Sequence, residues 1–111
     1  MKLISAIIRE TKLDEVREAL THADIQRITV VRVSGHGQQI KEEIHRGKKV
    51  VPSLIPKVKI EIATRSDNLD RIVEAITRVA STGKIGDGKI FVYDLEQIVR
   101  IRTGELDEEA I

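Results

Sequence analysis

A strand-helix unit occurs twice in this chain of 111 residues, and the repeat restricts its possible folds more than any other feature. Leu13-Asp14-Glu15-Val16-Arg17-Glu18-Ala19-Leu20 lines up with Leu69-Asp70-Arg71-Ile72-Val73-Glu74-Ala75-Ile76. In the first copy Leu13, Val16, Ala19 and Leu20 recur at helical spacing, with Asp14 and Glu15 in the first turn where the helix dipole favours acids. In the second, Ser66 or Asp67 is the expected N-cap, and Leu69, Ile72, Val73, Ile76 and Val79 form the inner stripe. Leu3 to Ile8 reads as a buried strand before the first helix. Ile25, Ile28 and Val30-Val31-Arg32-Val33 form an extended stretch after it. Lys57-Val58-Lys59-Ile60-Glu61-Ile62 alternates strictly, so one face is apolar and the other charged. Lys89 to Tyr93 and Ile98 to Arg102 read as closing strands.

A doubled β-α-β unit of this kind is the ferredoxin-like pattern, an α+β fold with an antiparallel sheet and both helices on one face. The other face is left bare. Leu3 and Ile7 alternate with Ile4, Ala6 and Ile8, so the first strand is apolar on both sides, which implies burial of both faces and hence homo-oligomerisation. The length suits one domain over residues 1–111, within the usual range of roughly 50–200 residues. Aromatics make up only 2%, so the core is built from Ile, Val, Leu and Ala, and few rings are left to stack on bases. A net charge of +1 gives no general field favouring nucleic acid or an anionic membrane. The absence of cysteine removes thiolate catalysis and disulfides. Arg9, Glu10 and Lys12 cut off the apolar N-terminal run far short of the ~20 residues of a membrane span, so the chain reads as soluble and cytoplasmic, with no membrane insertion.

Gly35 to Pro56 shows no helical or strand period, and loops beyond roughly 12–15 residues in a small domain are usually functional or disordered. Its Lys41, Arg46, Lys48 and Lys49 against Glu42 and Glu43 make it mildly basic, suited either to an acidic partner or to a solvated flap. Thr82-Gly83-Lys84-Ile85-Gly86-Asp87-Gly88-Lys89-Ile90-Phe91-Val92 sets three glycines and two lysines in one turn before an apolar strand. Glycines let backbone N–H groups converge on a phosphate, and ammonium groups neutralise it. The string is not a Walker A motif: Ile90 stands where a magnesium-binding Ser or Thr belongs, and a strand follows instead of a helix. The bland alternative is a glycine-rich β-turn that binds nothing.

Arg100 and Arg102 alternate on the expected last strand, so both guanidinium groups leave one side and could clamp a polyphosphate with Lys89, or be plain solvated surface. Asp87 either caps its own turn or positions a hydrated magnesium ion. His22, His36 and His45 show no zinc-type spacing, and no serine sits in a nucleophile-elbow context. A binder is better supported than a catalyst.

The strings Lys57–Ile62, Thr82–Val92 and Ile98-Val99-Arg100-Ile101-Arg102-Thr103-Gly104-Glu105 make the chain resemble the PII signal-transduction proteins over essentially its whole length. The resemblance implies a homotrimer of ferredoxin-like subunits with ATP or ADP in the clefts between neighbours. It makes residues 35–56 the partner-binding T-loop, and nitrogen or carbon status the signal. Carried over position by position, Ile7, Thr29, Glu61 and Ala63 border the adenine and ribose, and Gly37 and Gln38 approach the phosphates. Gly86, Asp87, Gly88, Lys89, Arg100 and Arg102 hold the phosphates, the arginines reaching across from the adjacent subunit. Gln39 matches the glutamine that helps coordinate Mg2+, and Lys57 the lysine that pairs with 2-oxoglutarate.

Departures gather around the loop. Val50 occupies the position of the tyrosine that many members have uridylylated, and no tyrosine lies between Gly35 and Pro56, so no modification site is assigned. Gln38 replaces a phosphate-contacting arginine, His36 a phenylalanine, and Glu10-Thr11 a Pro-Phe pair. The expectation is a non-catalytic sensor of ATP, ADP and 2-oxoglutarate that regulates a membrane transporter or a metabolic enzyme through the T-loop. Its rivals are a phosphate-ester or acyl-phosphate hydrolase, or slow ATPase, of the same fold, and an RNA-binding module echoed by Gly88–Tyr93.

Overall fold

The computed structural model describes residues 1–37, 43–45, 48–50 and 53–111. The chain runs β1 (Lys2–Arg9), α1 (Leu13–His22), β2 (Thr29–Gly35), β3 (Glu43–His45), β4 (Lys48–Val50), β5 (Ile55–Thr64), α2 (Leu69–Ala80) and β6 (Lys89–Asp94). The main sheet has the order β2-β5-β1-β6 and is antiparallel throughout. Each helix therefore joins two parallel strands that have a third strand between them, which is the split β-α-β arrangement expected from the repeat.

Strand register sorts the sheet into two faces. Ile4 stands opposite Ile62, Ala6 opposite Ile60 and Ile8 opposite Val58, and all six are buried. Val16 and Leu20 of α1, with Ile72, Ile76 and Ala80 of α2, close the core over them. Branched aliphatic residues suit this position because they pack on a pleated surface and lose little freedom in a strand. The other face carries rows Val33-Lys57-Arg9, Val31-Lys59-Ile7-Lys89, Thr29-Glu61-Ser5-Phe91 and Ala63-Leu3-Tyr93. Within one chain this face is half open. Ser5 and Lys57 are buried, whereas Phe91 and Tyr93 remain 43% and 53% exposed.

Three local expectations are corrected. Ile98 to Arg102 is no strand: Val99 makes a single bridge to Leu106, and residues 101–103 turn back so that the Gly104 N–H donates to the Arg100 carbonyl at 2.8 Å. The alternation that would send Arg100 and Arg102 to one side is therefore lost. Neither Ser66 nor Asp67 caps α2, because Ser66–Asn68 wind a 3-10 turn first and Asn68 takes the cap position without a side-chain bond. The segment read as lacking strand character contains β3 and β4, paired antiparallel from Glu43↔Val50 to His45↔Lys48. Short runs of mixed charge carry too little alternation to announce such a hairpin.

Ile60 is fully buried at the centre of β5. Ile60→Ala is expected to lower unfolding stability by about 2–5 kcal/mol in urea titration. A loss below ~1 kcal/mol would mean the site collapses around the smaller side chain.

Candidate functional site

The turn between α2 and β6 is held by one carboxylate. Asp87 Oδ2 accepts the N–H groups of Thr82 at 2.8 Å and Gly83 at 3.0 Å, while Oδ1 accepts the Thr82 hydroxyl and the Arg9 Nε–H at 3.1 Å. Thr82 Oγ1 in turn accepts the Lys84 N–H at 3.2 Å. The Thr82 hydroxyl and N–H above all, then Arg9 and the Gly83 N–H, hold the Asp87 carboxyl far below the usual carboxylate range.

Two cations on the bare face then fix the turn to the sheet. Arg9 Nη2 donates to the Ile85 carbonyl at 2.8 Å and Lys57 Nζ to the Gly86 carbonyl at 2.6 Å. Arg9 and Lys57 are cross-strand partners on β1 and β5, so one row of the sheet supplies both anchors. Burial lowers the Lys57 pKa, the Arg9 charge lowers it further, and Asp87 opposes them.

Gly88 explains why the turn can lie so close. A Cβ there would stand 1.8 Å from the Ile7 carbonyl oxygen, and φ is +100°, so only glycine fits. The N–H groups of Gly86, Asp87 and Gly88 have no acceptor among the described residues. Consecutive free amides of this kind suit an anion.

Beside the turn lies an open groove of about 750 Å³ that brings together Ile7, Gly37, Lys57, Gly86, Asp87, Gly88 and Lys89, seven of the residues singled out from sequence. Lys84, Phe91 and His36 also line it. Thr29, Glu61 and Ala63 do not, but they stand on the same sheet face, Thr29 directly opposite Glu61. Gln38 and Gln39 lie outside the described residues, and Val50 falls in β4. Among the described residues no group of three or more His, Asp or Glu side chains could hold a metal ion.

Arg100 and Arg102 are elsewhere. β6 runs away from the groove, from Lys89 opposite Ile7 to Asp94 opposite Lys2, and the Leu95 N–H then bonds the Met1 carbonyl. Arg100 pairs with Glu105 at 3.3 Å, and Arg65, just beyond β5, pairs with Glu108. The arginine-bearing turn thus sits at the Lys2 end of β1 and the glycine turn at the Arg9 end, a strand length of about 20 Å apart. Sequence reasoning missed Arg9 as an anchor. Its odd parity with Ile7 was visible, but its pairing with Lys57 needed the register.

A split β-α-β domain thus sets three lysines and, among the described residues, three amides without an acceptor around one groove. The family model described as Nitrogen regulatory protein P-II matches residues 1–105. The chain is 57% identical to nitrogen regulatory protein P-II of Rhizobium etli, 52% to nitrogen regulatory protein P-II 1 of Escherichia coli K12 and 48% to nitrogen regulatory protein GlnK of the same strain. Each match covers the whole of both chains. The chain belongs to the P-II family.

Two outcomes follow from the turn. Gly88→Ala is expected to lower the melting temperature well beyond Gly104→Ala. At Gly104 φ is +72° but a Cβ meets nothing, so the cost there is only about 1–2 kcal/mol of backbone strain. Equal losses would mean that the contact with Ile7 is easily relieved. Since the folded-state pKa of Asp87 is depressed, its bonds are fully present above the ordinary value of about 4 and are lost only as pH falls through the lower folded one. The amide NMR signals of Thr82 and Gly83 should therefore stay in place from pH 7 to about pH 4, and a midpoint near pH 4–5 would contradict the assignment.

Proposed function

We propose that this P-II protein is a non-catalytic regulator of nitrogen metabolism that binds ATP or ADP between subunits of a homotrimer. In this reading the free amides of Gly86 to Gly88 and the ammonium group of Lys89 meet the phosphates, and Gly37 and Gln38 approach them from the base of the T-loop. Ile7, Thr29, Glu61 and Ala63 border the base and sugar. Arg100 and Arg102 complete the phosphate site from the neighbouring copy. Mg2+ enters with the nucleotide, with Gln39 as its protein ligand. Asp87, the one carboxylate lining the groove among the described residues, is already engaged by its turn. Charge-assisted N–H contacts from lysine, arginine and backbone can hold a triphosphate without a Walker A lysine.

The observation that carries the reading is the separation between the free amides and the arginines. Cations assigned to one phosphate chain stand at opposite ends of one sheet, and a second copy reconciles them. The half-open face with Phe91 and Tyr93 supports the same assembly.

2-Oxoglutarate would place a carboxylate beside Lys57, whose ammonium now holds the Gly86 carbonyl. A ligand that takes this ammonium loosens one anchor of the turn. The occupant could bias residues 35–56 in this way, since a ligand shifts a two-state segment only through unequal affinity for its states. The output is binding or release of a transporter or an enzyme.

The test uses two crippled variants. Lys89→Ala and the double variant Arg100→Ala/Arg102→Ala should each weaken nucleotide binding by about 10–100-fold in calorimetry, as expected for lost charged hydrogen bonds. After the two are mixed under conditions that exchange subunits, a fraction of sites should regain high affinity, because an intact turn then meets intact arginines. Absence of recovery defeats the shared site. ATP turnover above about 1 per second by the unmodified protein would instead favour the hydrolase reading.

A further inference from the structure

We propose that His36 is an anion-binding residue of the groove that acts in its charged form, recruited by the phosphate groups of a bound nucleotide; the inference rests on the nucleotide reading above. His36 follows the last residue of β2 and lines the groove with Gly35 and Gly37. It is exposed and has no hydrogen bond or ion pair among the described residues. Its ring is therefore free to meet a ligand.

The groups around it decide when it is charged. Lys57 from β5, Lys84 from the glycine turn and Lys89 from β6 line the same groove, and Arg9 of β1 lies behind Asp87. Asp87, the one carboxylate lining the groove among the described residues, supplies a single negative charge against these cations. A phosphate chain reverses this balance by bringing several negative charges among the lysines. Imidazole titrates in an ordinary setting near pH 6.5, so the reversal falls where the ring can respond.

Binding and protonation are then linked. A bound polyphosphate raises the His36 pKa, the complex takes up part of a proton, and affinity rises as pH falls. If the pKa in the complex stands about one pH unit above that of the free protein, binding is about tenfold tighter in acid than in alkali. No other side chain lining the groove among the described residues has its ordinary titration between about pH 5 and 8.

The experiment is calorimetric titration of the full chain with MgADP and MgATP at about pH 6 and about pH 8, beside His36→Gln. Glutamine keeps polar reach without the titration. Nucleotide phosphates also titrate in this range, so the readout is the difference between the two proteins. On acidification the unmodified chain should gain several-fold more affinity than the variant, approaching about tenfold if the imidazole pKa rises by about one on binding. In NMR, the imidazole signal that is absent from His36→Gln should titrate at higher pH with ADP bound than without. Equal pH dependence in the two proteins, or an imidazole midpoint that stays put while ADP binds, overturns the proposal. If neither protein binds nucleotide at either pH, the nucleotide reading falls first and this inference with it.

Discussion

The close approach of Gly88 to the Ile7 carbonyl is the constraint on which the rest of the groove depends. With 1.8 Å between that oxygen and the place of a Cβ, any other residue would push the turn off β1. The distance also sets the reach of the anchors. Arg9, two residues beyond Ile7, meets Asp87 and Ile85, and Lys57, opposite Arg9, meets Gly86. Beside this close approach three successive N–H groups have no acceptor among the described residues, an arrangement that suits an anion.

Much of the architecture was legible because two periods dominate the sequence. The alternation Lys57–Ile62 and the helical spacing of Leu13–Leu20 and Leu69–Ile76 each bury one face, and burial fixes register. The closing segment misled because Ile98-Val99-Arg100-Ile101-Arg102 alternates like a strand although, among the described residues, it pairs only through the single Val99–Leu106 bridge. Alternation reports which residues could share a face, and a ladder also needs a second strand. The 3-10 turn at Ser66–Asn68 had no signal, since Ser and Asp favour caps and tight turns alike.

The groove was legible in composition but not in connection. Glycines and lysines mark Thr82–Lys89 as special in any reading, and the specific string made the resemblance to P-II proteins possible. The bonds that give the turn its shape join residues far apart in sequence, Arg9 to Asp87 and Lys57 to Gly86, and long-range pairs of this type leave no local period. Arg100 and Arg102 show the converse. Sequence placed them with the phosphates, yet within one chain a sheet's length intervenes, so the assignment has meaning only for an assembly.

The helices cover a face but neither border of the sheet. β2 and β6 each end the hydrogen-bonded ladder, and β2 does so with Thr29 to Arg32 all exposed. A run such as Val30-Val31-Arg32-Val33 is the kind of β-rich segment that invites a stray strand to add on. Arg32, held at 3.2 Å by Glu10, sets a charge in the middle of that run, while Lys89 and Asp94 bracket β6. Charges at such positions discourage strand addition, and Glu10 holds one of them in place.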